Sequence, residues 1–197
     1  MKTCLSLLTL FLSVTLSASI NPADLVVQAD PTSKTLILRS ISEFDADSKL
    51  QIVDRDGRVL HTAKLDSGSY LNARFQLAAL PAGDYEIVLS DEMGRTVQPL
   101  TIGNTGIQAD PALASRTFYP RVNLKESMLT ITYLNTAQNE VAIRLADKNG
   151  KSVLNDRINS SPTLQRAYNL EQLPAGDYYV TVLVPREPAY TTSLSLK

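Results

Sequence analysis

Read for the alternation of apolar and polar positions, the chain falls into short runs of period two, the spacing of half-buried β-strands. Leu25-Val26-Val27 and Lys34 to Leu38 come first, parted by Asp30-Pro31-Thr32-Ser33. Leu50-Gln51-Ile52-Val53 leads into Asp54-Arg55-Asp56-Gly57, with Val59 and Leu60 beyond, which is the signature of a β-hairpin. A longer segment, Tyr70 to Leu77, precedes Tyr85-Glu86-Ile87-Val88-Leu89; after the turn residues Asp91 to Gly94, Thr96 to Ile102 completes the set. No segment of helical length carries a 3.6-residue period. Short strands separated by turn signals every 8 to 12 residues or so predict an antiparallel β-sandwich.

The same set then begins again. Leu80-Pro81-Ala82-Gly83-Asp84-Tyr85 returns letter for letter as Leu173-Pro174-Ala175-Gly176-Asp177-Tyr178, 93 residues on. The shared offset places Leu36 and Leu38 on Leu129 and Ile131, and Leu50 and Ile52 on Ile143 and Leu145. It also places Leu71, Phe75 and Leu77 on Leu164, Tyr168 and Leu170, and Asp54-Arg55-Asp56-Gly57 on Asp147-Lys148-Asn149-Gly150. No gap is needed from about residue 36 to residue 89, so the apolar register predicts two copies of one domain, each with its own core. In the hexapeptide, Pro pre-sets φ for a turn, Gly gives a permissive backbone, and Tyr opens an alternating strand. A tyrosine at the start of a strand after such a corner resembles the tyrosine corner of immunoglobulin-like sandwiches, whose hydroxyl caps upstream backbone while the ring packs inward. The expected fold class is all-β, two tandem immunoglobulin-like antiparallel sandwiches after a leader. The expected divisions are 1–19 leader, 20–103 first sandwich, 104–120 linker and 121–197 second sandwich. The linker assignment rests on Gly103-Asn104-Thr105-Gly106, Asp110-Pro111 and a polar composition unsuited to a buried shared strand.

The leader breaks the pattern. Lys2 precedes the apolar run Leu5 to Val14, and Ser17, Ala18 and Ser19 offer small residues for cleavage. This is the layout of a secretory signal peptide, and the run is too short to span a membrane. The lone Cys4 lies ahead of the apolar run, where lipidation would need it after. The exported chain is therefore expected to hold no cysteine, hence no disulfide, thiol nucleophile or Cys metal site. With 19 Lys and Arg against 20 Asp and Glu, the chain is close to neutral, which points away from nucleic acid and from anionic membrane surfaces. No later stretch reaches the roughly 18 apolar residues of a membrane span. Export, to the periplasm or beyond the cell, is the expected localisation.

From Leu129 to Tyr178 the residues carry a family resemblance. The order Leu129-x-Ile131, then Val141-x-Ile143-x-Leu145-x-Asp147-x-x-Gly150-Lys151, then Asn169-Leu170-x-x-Leu173-Pro174-Ala175-Gly176-x-Tyr178 resembles the immunoglobulin-like C-terminal sorting domains of type IX secretion cargo. It is similar, too, to other small secreted sandwich domains of Gram-negative bacteria, and both repeats fit it. The resemblance implies a sandwich and an export role, and it specifies no ligand. Such domains open with Tyr-Pro-Asn-Pro and finish on a Lys-containing strand. Tyr119-Pro120-Arg121-Val122 keeps the first half of that opening, and Lys197 is the one basic residue at the very end.

Candidate chemistry is sparse. His61 is the single histidine, in an expected strand, and neither a triad nor a His-based metal site has its partners. The Asp54-x-Asp56-Gly57 and Asp147-x-Asn149-Gly150 strings suit a tight turn; a calcium loop needs more oxygen ligands, and Arg58 and Lys151 follow instead. Glu43-Phe44-Asp45-Ala46-Asp47 is acidic, yet its counterpart Thr136 to Glu140 keeps one acid. The chain has eight tyrosines and no tryptophan for a sugar platform, no phosphate loop and no serine elbow. No catalytic, cofactor-binding or metal residues are assigned, and no cofactor is expected. The expectation is a non-enzymatic exported module that interacts with other envelope or secreted proteins or serves as structure. The alternative is an accessory protein that binds sugar or calcium through its loops.

Overall fold

A computed structural model describes residues 25–197; the leader expected at 1–19 lies outside the described residues. Seven strands make the first unit: β1 Leu25–Ala29, β2 Thr35–Ser40, β3 Ser48–Asp54, β4 Val59–Leu65, β5 Asn72–Gln76, β6 Gly83–Ser90 and β7 Gly94–Ile102. Two short strands follow, β8 Ile107–Gln108 and β9 Ser115–Phe118, with one 3-10 turn at Pro111–Leu113 between them. The second unit repeats the seven: β10 Arg121–Lys125, β11 Met128–Leu134, β12 Val141–Asp147, β13 Ser152–Ile158, β14 Thr163–Asn169, β15 Gly176–Leu183 and β16 Tyr190–Leu196. All pairings are antiparallel. In each unit a three-stranded sheet (β1-β2-β5, then β10-β11-β14) lies against a larger one (β4-β3-β6-β7, then β13-β12-β15-β16). This is the expected all-β sandwich architecture.

The repeat is visible in the cores. Leu36, Leu38, Leu50, Ile52, Leu71, Leu77, Tyr85, Ile87 and Leu89 are buried in one cluster. Their counterparts 93 residues on, Leu129, Ile131, Ile143, Leu145, Leu164, Leu170, Tyr178, Val180 and Val182, are buried in another. One residue is inserted before the last strand: Leu89 faces Thr96 across β6–β7, whereas Val182 faces Tyr190 across β15–β16. From there Leu100 corresponds to Leu194 and Ile102 to Leu196. Burial of such aliphatic side chains, at roughly 1.5–3 kcal/mol each, is the main favourable term in either unit.

The segment 104–120, expected to be a linker from which Ile107 and Phe118 could pack against a domain, supplies two strands to the first sheet. β8 pairs with the end of β7 (Ile102 opposite Ile107), and β9 pairs with its start (Gly94 opposite Phe118, Val97 opposite Ser115). Ile107 is 1 % exposed and belongs to the first core, with Ala109 packed beside it. Polarity misled here because a strand lying along a sheet edge needs few apolar residues: Gln108 and Ser115 face solvent while Ile107 is buried. Two glycines allow the approach. A Cβ on Gly94 would stand 2.2 Å from the Thr117 carbonyl oxygen, and one on Gly106 would stand 2.1 Å from that of Pro31. We expect Gly94→Ala to force β9 off β7 and to cost about 1–3 kcal/mol, the usual range for overpacking. Hydrogen exchange would show the change as lost protection of the Tyr119 amide, which donates to the Met93 carbonyl at 2.8 Å.

Asp30 ties the β1–β2 turn together. Its carboxylate accepts from the Thr32 amide and hydroxyl, both at 2.8 Å, from the Ser33 amide at 3.2 Å and from the Ser33 hydroxyl at 2.7 Å. Its own carbonyl accepts the Ile107 amide at 2.8 Å, so the turn also anchors β8. The Ser33 hydroxyl foremost, then the Thr32 donors, pull the carboxyl from 3.8 to about 2. A carboxyl depressed in the folded state stabilises above its unfolded value, and that contribution disappears as pH falls through the folded value. Asp30→Ala is therefore expected to melt below wild type at neutral pH. The gap should hold down to about pH 4 and close as the pH approaches 2, as thermal melts over that range would show.

Candidate functional site

The residues singled out by sequence have structural occupations. Tyr85 and Tyr178 are buried, and each hydroxyl donates four residues upstream, to the Pro81 carbonyl at 3.0 Å and the Pro174 carbonyl at 2.8 Å. This is the corner geometry that the hexapeptide predicts. Asp54 Oδ1 accepts from the amides of Asp56 (3.0 Å) and Arg58 (2.9 Å), while Asp147 Oδ1 accepts from those of Asn149 and Lys151, both at 2.9 Å. Gly57 and Gly150 sit at φ 81° and 80°, which closes the same turn in both copies. These carboxylates are occupied by backbone donors. In the acidic run, Asp47 accepts from the Ser67 amide at 3.0 Å, and Phe44 packs against the core. His61 is exposed on β4, its ring edge-on to Phe75 at 5.2 Å. The counterpart of Phe75 is Tyr168, whose hydroxyl donates instead to Asp156 at 2.7 Å, with Arg166 beside that carboxylate at 3.4 Å. Among the described residues, no three His, Cys, Asp or Glu side chains are grouped to hold a metal.

A cleft of about 720 Å³ lies where the two units meet. The Phe118-Tyr119-Pro120 passage from β9 to β10 lines it. Glu92 and Met93, from the turn before β7, also line it, as do Tyr133 and Leu134 of β11 and Gln165 of β14. At its end the Tyr119 and Tyr190 rings stack at 5.9 Å, inclined by 28°. The junction is held by polar contacts as well. The Thr117 hydroxyl donates to Glu187 at 3.2 Å and the Thr136 hydroxyl reaches the Arg116 carbonyl at 3.5 Å; on the first unit's side, Arg116 pairs with Asp91 at 3.1 Å while lying over Phe118.

The cleft is chemically mild. Burial pushes the Tyr119 phenol up from 10.0, with Arg95 opposing and Asp91 reinforcing, and burial foremost raises Tyr133, aided by Glu187. Both phenols are thus neutral hydrogen-bonding groups at physiological pH, suited to hold a polar or aromatic surface and to keep their protons. In the sequence, Tyr119-Pro120 reads as the end of the linker and half of a family opening, and Met93 as a turn residue; Tyr190 carries no signal of its own. Nothing local in the sequence places Tyr190 next to Tyr119, since their meeting depends on β9 joining the first sheet.

Residues 118–193 match the family model of the secretion system C-terminal sorting domain. The second unit is thus similar to sorting domains, as its Leu-Pro-Ala-Gly-x-Tyr string suggests. No curated protein matches the chain. Among solved structures, a two-domain fibronectin type III segment of chicken tenascin is 18 % identical, covering 89 % of this chain and 99 % of its own, with a TM-score of 0.33. The BSP domain of a biofilm-associated protein is 13 % identical over 86 % of this chain and 29 % of its own, TM-score 0.30. The 47-kilodalton lipoprotein Tp47 of Treponema pallidum is 12 % identical over 91 % and 53 %, TM-score 0.28.

Proposed function

We propose that the protein is a non-catalytic secreted cargo, in which the second sandwich is the sorting domain and the first, a duplicate of it, is what is delivered. The match of residues 118–193 to the sorting-domain family carries this reading. The Lys2-plus-apolar leader supports it, because a periplasmic stage needs an inner-membrane signal. No helix among the described residues is long and apolar enough to cross a membrane. Once outside, the tandem sandwiches serve as an interaction or structural module at the cell envelope. The test is to express the full chain in a bacterium that carries a type IX system and in its secretion-null mutant. The protein is expected at the surface or in the medium of the first, trapped in the periplasm of the second, with a mature N-terminus within a few residues of Ser19. Equal distribution in both strains would exclude the sorting role. A second reading, sugar binding, draws on the tyrosines that line the cleft; a glycan that binds there would raise the melting temperature.

A further inference from the structure

The two copies differ at one sheet edge. In the first, the outer edge of β7 is covered by β9 and β8; in the second, the equivalent strand β16 ends its sheet, and no strand among the described residues pairs with its outer side. Sheet edges are normally blunted by charge, proline or a bulge. The edge strands β4 and β13 carry Lys64, and Asp156 with Arg157, and each has a register shift against its neighbour. β10 carries Arg121 and Lys125, β5 carries Arg74 and β14 carries Arg166. β16 reads Tyr-Thr-Thr-Ser-Leu-Ser-Leu: seven residues with no charge, no proline and an unbroken register against β15. β1 is also uncharged but is shorter, at five residues.

We propose that the open edge of β16 is a strand-addition site, and that its occupant is β16 of a second copy of this chain. The repeat supplies the geometry. Odd-numbered residues of β7 face its added strands, as the Met93 carbonyl does in accepting from Tyr119, and as the Gly103 amide does in donating to Gly106 just past the strand. Their counterparts in β16 are Thr191, Ser193 and Ser195, whose backbone groups therefore point outward. Antiparallel pairing about Ser193 then opposes Tyr190 to Leu196, Thr192 to Leu194 and Thr191 to Ser195, using all seven residues and setting no charge against another. The hydroxyl pairs are among the favourable cross-strand combinations. The result is a closed, two-fold contact that joins two four-stranded sheets into one.

The repeat also supplies the test. Pro99 is the counterpart of Ser193 and lies in the gap between β9 and β8, so proline is compatible with this position of the sandwich. The exported protein, purified, is expected to sediment as a dimer at high concentration and to dissociate on dilution. Ser193→Pro should lose the dimer and melt like wild type diluted to the monomer. Ser193→Lys, which retains the amide but sets two charges face to face, should lose it as well. Ser193→Cys should form a disulfide-linked dimer on mild oxidation. A wild-type protein that stays monomeric throughout would overturn the proposal. So would either Pro or Lys variant dimerising as tightly as wild type.

Discussion

Replacing Tyr178 with alanine should cost about 3–5 kcal/mol, the range for truncating a large buried aromatic side chain. The ring is 5 % exposed and belongs to the second core, so its removal leaves a hole lined by residues of both sheets. Tyr178→Phe keeps the ring and forfeits only the bond to the Pro174 carbonyl, which is worth about 0.5–1.5 kcal/mol. The same pair of values is expected for Tyr85, whose bond to Pro81 is its counterpart. Chemical denaturation of the four variants checks this. An alanine variant as stable as wild type would mean that the ring is not a core element.

The second large effect concerns where the first unit ends. A fragment of residues 20–105 stops before β8 and β9, and so removes Ile107 from the core and bares the outer edge of β7. A fragment of residues 20–119 retains both. We propose that the two sandwiches are separate folding units, since each has its own buried cluster. The longer fragment should then fold cooperatively and remain monomeric. The shorter should melt far lower or self-associate, because losing one buried isoleucine alone costs about 2–5 kcal/mol and an uncovered strand edge invites pairing. Residues 119–197 should fold with a β-type circular dichroism spectrum of their own. Thermal melts and sedimentation of the three fragments decide the matter; an unfolded 20–119 would mean that the units share their stability.

What could be read from the sequence divides along physical lines. Strand positions, the hexapeptide corners and paired core residues such as Leu38 and Ile131 were legible, since alternation and turn chemistry are local. The Asp54 and Asp147 turns were legible for the same reason. Strands β8 and β9 were not, since each is short and held by contacts remote in sequence: Gly106, just before β8, rests on Pro31, and Gly94 lies under Thr117 of β9. The cleft was hidden with them. Its tyrosines stack through contacts 71 residues apart in sequence, and no periodicity encodes such a meeting.

Because β9 ends at Phe118 and β10 begins at Arg121, only Tyr119 and Pro120 span the two units. The Tyr119 amide is already bonded to Met93 and its ring lies against Tyr190, and the proline ring fixes its own φ. A spacer this short has almost no conformational entropy to spend. The pair should therefore tumble as one body, with a single rotational correlation time for amides in both halves, and the chain should scatter X-rays as a particle of one fixed shape, unlike beads on a string.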